Sequence, residues 1–171
     1  MASKCVFLDR DGVINRDRVD YAYKLEHFEI LPGVLDALKM LKDAGYKIIL
    51  ITNQSGISQG IYTVDDMEIC HAFLQEQCNY AIDAIYYAPL NPKISNSLSR
   101  KPDSLMFERA IAKFEIDCSR SFMIGDKERD LIPAIKLGIF PIIVGESSLK
   151  SVEAMRFSNL YQSVEYILKI R

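Results

Sequence analysis

The sequence is poor in the residues on which many hydrolases depend. Histidine occurs only at His27 and His71. His71 stands inside a predicted helix, where packing or surface roles are ordinary. No G-x-S-x-G is present, so the nucleophile turn of an α/β serine hydrolase has no counterpart. The P-loop pattern GxxxxGK[ST] is also missing, which removes that class of kinase. The four cysteines, Cys5, Cys70, Cys78 and Cys118, form no CxxC pair. They are expected to be reduced, mostly buried thiols of a cytoplasmic protein, with no metal site among them. The apolar run Cys5–Leu8 is too short for a signal peptide or a membrane span. Lys and Arg number 21 against 23 Asp and Glu, for a net charge of −2. Basic and aromatic residues are not interleaved. Neither nucleic acid nor membrane is an expected partner.

What is present is a chain of 171 residues, 49% hydrophobic and 26% charged. That suits one folded domain over residues 1–171, with no linker or repeat. Short apolar runs alternate with helical patterns. Cys5–Leu8, Ile48–Ile51, Ile85–Tyr87, Phe122–Ile124 and Ile142–Val144 read as strands apolar on both faces, as in the middle of a parallel sheet. Val34, Leu38 and Leu41 mark a first helix closed by Gly45. Thr63-Val64-Asp65-Asp66 reads as a capping box opening a second helix through Ile69, Phe73 and Leu74. Met106, Phe107, Ala110, Ile111 and Phe114 stripe a third, with Pro102 in its first turn and Lys101 at its N-terminus. A fourth spans about Glu128–Gly138 and a last one Val164–Lys169. The alternation predicts a doubly wound, Rossmann-like α/β fold.

In such a fold ligands bind beyond the carboxyl ends of the strands. Asp9-Arg10-Asp11-Gly12 follows the first predicted strand, and Thr52-Asn53-Gln54-Ser55-Gly56 follows the second. Gly125-Asp126-Lys127-Glu128-Arg129-Asp130 follows the fourth, and Arg100-Lys101 precedes the third helix. One Asp at a strand end is ordinarily a turn residue. Two acidic clusters, a hydroxyl–amide turn and a cationic pair at one sheet edge suit phosphoryl chemistry instead. Oxygens from Asp9, Asp11 and Asp126 fit Mg²⁺, a hard cation that shares ligation with substrate phosphate. Asp9 can attack phosphorus as the nucleophile. Asp11, two residues on, can serve as general acid and then base. Thr52 and Lys101 can hold the equatorial oxygens.

These segments resemble a known family. FLDRDGVIN (Phe7–Asn15), ITNQSGI (Ile51–Ile57), RKP (Arg100–Pro102) and GDKERD (Gly125–Asp130) look like the four motifs of haloacid dehalogenase-type phosphatases. The resemblance implies Asp9 as nucleophile, Asp11 as acid/base, and Thr52 and Lys101 as phosphate-binding residues. It implies Asp126 as a metal ligand and Asp130 as either a second ligand or an outer-shell residue. The metal set is then Asp9, Asp11, Asp126 and Asp130, while Asn53, Gln54, Ser55, Arg100 and Lys127 are candidates to bind substrate. Asp rather than Thr at position 11 resembles the phosphatases and mutases, not the dehalogenases or ion pumps. Neither Val13–Ile48 nor Gln59–Ser99 has room for a cap domain, so a capless, open site is expected.

Within that family, DRDGVIN, HFEILPGV (His27–Val34) and TNQSGISQGIYT (Thr52–Thr63) look like the heptose 1,7-bisphosphate phosphatases and the related histidinol-phosphatase domains. A small phosphorylated metabolite is the implied partner, and a bisphosphate suits the cations Arg16, Arg18, Lys24 and Arg100. Histidinol phosphate and other sugar or nucleotide monophosphates stay as alternatives, with a catalytically silent binding module as the reading from another class. Those relatives usually carry a CxH…CxC zinc loop before RKP. The matching positions here are Ala88, Leu90, Ser97 and Ser99, poor zinc ligands, so zinc is not expected. Gln59 stands where many relatives carry Arg. A monomer is the working expectation, the alternative being a site covered by a neighbouring subunit.

Overall fold

The structure is a computed structural model, and residues 2–170 are described. Six strands, β1 (Cys5–Leu8), β2 (Lys47–Asn53), β3 (Ala84–Ala88), β4 (Phe122–Gly125), β5 (Phe140–Val144) and β6 (Met155–Phe157), make one sheet. Their order is β3-β2-β1-β4-β5-β6, and every neighbouring pair is parallel. The helices are α1 (Val34–Asp43), α2 (Val64–Gln77), α3 (Leu105–Phe114), α4 (Glu128–Lys136) and α5 (Leu160–Ile170). None of them is long and apolar enough to cross a membrane.

Period-two alternation sends the strand side chains to opposite faces. Val6, Leu8, Ile48, Leu50 and Ile124 pack with α1, α2 and α5 on one face. Cys5, Phe7, Ile49, Ile51 and Met123 pack with α3 and α4 on the other. Both faces are covered, which is why the central strands read as continuous apolar runs. The order reverses between β1 and β4. Loops leaving those two strands therefore diverge to opposite faces and open a crevice beyond their carboxyl ends.

Local structure departs from the sequence reading in five places. β3 is an edge strand, half-exposed along most of its length, so its apolar run does not mark a central position. The buried side of α2 is Met67, Cys70, His71 and Leu74, whereas Ile69 is 54% exposed; the capping box at Thr63 and Asp66 is present. α3 begins at Leu105 after an N-cap at Ser104. Pro102 and Lys101 thus lie in the preceding turn, outside its first turn. β6 is three residues long and mostly exposed, too short to carry a pattern. α5 begins four residues before Val164, where the Asn159 side chain accepts from Gln162 N at 3.0 Å, an N-cap contact. All four cysteines are free, three of them buried.

Candidate active site

The crevice between β1 and β4 holds a cavity of about 200 Å³ lined by polar side chains from the four segments that follow β1, β2, β3 and β4. Its floor is Asp9. The amide of Asp9 donates to Ile124 O on β4 at 3.0 Å, which ties the end of β1 to its neighbour. Lys101 Nζ donates to Asp9 Oδ1 at 2.8 Å and to Ile51 O at 2.6 Å. It also pairs with Asp130 Oδ1 at 2.8 Å. Lys101 is 1% exposed and Asp130 fully buried, so the ammonium is a bolt joining β1, β2 and α4.

Lys101 reaches this place because Asn53 holds its backbone. Asn53 Oδ1 accepts from Lys101 N at 3.0 Å, and Asn53 Nδ2 donates to Lys101 O at 3.1 Å. Neither a helix N-terminus nor its dipole positions this lysine. Asn53 borders the cavity, but its amide is committed to that pairing rather than free for a ligand. Thr52 Oγ1 likewise accepts from Gln54 Nε2 at 2.8 Å, and Gln54 Oε1 accepts from Tyr62 Oη at 2.6 Å. Ser55 lines the wall.

Close approach sets the second side of the floor. A Cβ on Gly12, whose φ is +87°, would stand 2.4 Å from Asp126 Oδ2. One on Gly125 would stand 2.4 Å from Asp130 Cβ. Glycine at both positions lets the first loop and the β4–α4 loop bring their carboxylates together. Asp9, Asp126 and Asp130 form the one group of potential metal-ligating side chains among the described residues, their ligand atoms all within 4.8 Å.

The carboxylate of Asp11 is outside that group. Arg10 Nη2 donates to Asp11 Oδ1 at 3.0 Å and Arg10 Nε to Oδ2 at 3.1 Å. Asn15 Nδ2 and Gln54 Nε2 add one donor to each oxygen. As a side-chain metal ligand Asp11 is therefore misplaced, because its oxygens are already engaged elsewhere. Asp130 is also heavily committed: besides Lys101, its Oδ2 accepts from Lys127 N at 3.0 Å and caps α4.

The electrostatics call for a cation. Burial raises the carboxyl of Asp9 to about 7, Asp130 pushes the same way, and Lys101 opposes both. Burial and Asp130 raise Asp126 as well, against Lys127 at 3.2 Å. Burial alone would lower Lys101, but Asp130 and Asp9 win and raise it. Burial would raise Asp11, yet Arg10 and the donated hydrogen bonds hold it below the ordinary carboxylate range. The Oδ1 of Asp126 is buried without a hydrogen-bond partner. An orphaned carboxylate oxygen beside two others fits a hard divalent ion such as Mg²⁺. Asp9 and Asp126 have oxygens to offer it, and Asp130 stands behind them.

The rim is cationic. Arg18, Arg100, Lys127 and Arg129 line it, with Asp17 and Tyr21. Lys127 pairs with Asp17 at 2.6 Å, and Arg18 with Asp20 at 2.8 Å. Arg100 and Arg129 have no carboxylate partner among the described residues, and burial, with Arg129 nearby, lowers Arg100. Of the three flap cations expected at the rim, only Arg18 lines the cavity; Arg16 pairs outward with Glu29 at 2.7 Å, and Lys24 lies over the Tyr23 ring. Sequence reasoning passed over Arg129, which stands on the first turn of α4 in the same acidic segment as Asp126 and lines the cavity. It also passed over Asp17 and Tyr21, whose inward course the sequence does not signal. Gln59 donates to Tyr21 Oη at 2.9 Å and helps hold that course.

A family model described as haloacid dehalogenase-like hydrolase matches residues 4–138. This chain belongs to that family. Among relatives of the hydrolase, the D-glycero-β-D-manno-heptose-1,7-bisphosphate 7-phosphatase of Helicobacter pylori strain J99 is 37% identical, covering 96% of this chain and 97% of its own. The D-glycero-α-D-manno-heptose-1,7-bisphosphate 7-phosphatase of Campylobacter jejuni is 33% identical, covering 97% and 96%. The solved D,D-heptose 1,7-bisphosphate phosphatase of B. bronchiseptica, complexed with magnesium and phosphate, superposes with a TM-score of 0.89 at 26% identity. The alignment covers 98% of this chain and 99% of that one. The hydrolase therefore shares its sheet and flanking helices with a phosphatase over nearly its whole length.

Proposed function

We propose that this phosphatase removes the 7-phosphate of a D-glycero-D-manno-heptose 1,7-bisphosphate, with Asp9 as nucleophile and Mg²⁺ as cofactor. The observation that carries the reading is the floor: an Asp carboxylate bolted by Lys101 beside an orphaned oxygen of Asp126, beneath a rim where, among the described residues, Arg100 and Arg129 have no carboxylate partner. Asp9 Oδ1 already accepts from Lys101 Nζ and Arg10 N, which leaves Oδ2 to attack phosphorus. A new Oδ2–P bond forms, the ester P–O bond breaks, and the departing sugar oxygen takes a proton from Asp11. Asp11 is ionised in the free protein, so it must first take up that proton, which a phosphate dianion arriving nearby favours. Water then attacks the phosphorus of the aspartyl-phosphate, Asp11 accepts its proton, the Oδ2–P bond breaks to restore the Asp9 carboxylate, and inorganic phosphate leaves. Bound Mg²⁺ would supply the positive charge that keeps Asp9 ionised and offsets its repulsion from phosphate.

Names of the full-length relatives support the heptose, and so does the rim. Arg100 and Arg129 can take the second phosphate as paired, charge-assisted donors. The loop before RKP is held by a Ser97–Ser99 hydroxyl contact at 2.7 Å rather than by thiolates, so we read it as independent of zinc. Elemental analysis finding one tightly bound zinc per chain would refute that part. The whole chain is proposed to work as one capless domain on a small phosphorylated sugar, as a monomer. Hydrolysis of a panel of phosphorylated metabolites with Mg²⁺ tests the substrate. The bisphosphate should lead the panel, and a clear preference for histidinol phosphate would overturn the assignment.

A further inference from the structure

We infer that Arg10 is a positioning residue for Asp11, seated in turn by His71 of α2. Arg10 is 1% exposed and does not line the cavity. Its side chain runs behind the catalytic loop, with the guanidinium carbon 5.4 Å from the Phe28 ring centroid. Nη2 donates to Ala22 O at 3.1 Å, and Nη1 lies 3.3 Å from His71 Nε2. Burying a guanidinium is costly unless it is well paired. Its one carboxylate partner is Asp11, gripped by Nε on one oxygen and Nη2 on the other.

A two-point grip fixes more than charge. A fork and a carboxylate held by two parallel bonds share a plane, so the carboxylate cannot rotate about its own axis. Asn15 and Gln54 add one donor to each oxygen, but from two separate side chains rather than one rigid planar fork. The alternative is a purely structural pair that pins the flap, through Ala22 O, to α2. That alternative accounts for the contacts to Ala22 and His71. It does not account for two of the three remaining N–H groups being spent on a carboxylate that faces the cavity. His71 Nε2 can accept from Nη1 only as the neutral Nδ1–H tautomer, and in that state it sets the roll of the guanidinium.

The inference rests on Asp11 being the proton donor, so the test carries a control for that reading. The quantity is kcat/KM, which reports steps through departure of the leaving group, for an alkyl sugar phosphate and an aryl phosphate. An alkyl alkoxide needs the proton; a nitrophenolate barely does. A misplacement of about 1 Å costs roughly 10²-fold. Arg10→Lys keeps a charge but loses the fork, and should cut the alkyl ester about a hundredfold and the aryl ester at most about tenfold. His71→Leu should show the same bias more weakly, and His71→Gln, which retains an acceptor, should recover most of the ratio. If Arg10→Lys does not fold, the His71 pair decides. Equal losses on both esters, or a fall in melting temperature with the ratio unchanged, would overturn the inference. Asp11→Asn in parallel separates the failures. A bias there but not at Arg10 or His71 sinks the positioning role alone, whereas no bias at Asp11 sinks the proton-donor reading.

Discussion

The floor and the rim of the cavity are built on opposite terms. On the floor Asp9, Lys101 and Asp130 are almost wholly buried, and Lys101 bridges the two carboxylates. At the rim, among the described residues, Arg100 and Arg129 have no carboxylate partner, and Arg18 and Lys127 pair with flap residues or neighbours that solvent reaches. Buried charges must be satisfied by fixed partners, so the floor tolerates little variation. Rim charges are solvated, so they are free to follow the substrate. On the proposed function, bond-making belongs to the floor and substrate choice to the rim.

The largest expected effect lies on the floor. Asp9→Asn should reduce hydrolysis of every phosphate ester to background while leaving the fold intact by circular dichroism. Turnover by that variant above the level of a buffer blank with Mg²⁺ would break the division. Next comes the cation. EDTA should stop turnover, and Mg²⁺ at about 100 times its Kd should stabilise the protein by about 2.7 kcal/mol. Asp126→Asn, which removes the carboxylate that carries the orphaned oxygen, should lose most of that thermal shift. An undiminished shift would place the ion elsewhere.

The rim predicts a smaller and more selective loss. Arg129→Ala should lower kcat/KM for the bisphosphate by about ten- to a hundredfold, as for one lost charged hydrogen bond of about 1.5–3 kcal/mol. A generic aryl phosphate should lose far less. Equal losses on the two substrates would make Arg129 part of the floor. Smallest is a stability effect beneath the site. Burial, with Arg10 beside it, lowers His71 to about 3, against an ordinary value near 6.5. The unfolded chain therefore binds the proton first, and stability is lost as pH falls from about 6.5 toward 3. Between pH 7 and 4.5 the wild type should lose about 2 kcal/mol more than His71→Gln, by denaturant melts. Parallel losses would show that His71 protonates without cost.

Sequence alone was enough for the strand–helix alternation and the motif residues at the strand ends. Both depend on local chemistry: apolar runs mark the strands covered on both faces, and a capping box marks a helix start. Asp9, Thr52 and Asp126 follow from such positions, whereas Lys101 is seated by the Asn53 amide rather than by the helix start it was expected to occupy. Residue type does not reveal which donors a carboxylate meets, so the sequence could not separate Asp11 from the Asp9–Asp126–Asp130 group. Nor could it assign Asn53 to the Lys101 backbone, place Arg129 and Tyr21 at the rim, or turn Arg16 outward. β6, three mostly exposed residues recruited by the edge of β5, has no pattern of its own to read. Those outcomes belong to contacts between segments far apart in the chain. They were decided when the sheet closed, because burial, not spacing, determines which charge must find which partner.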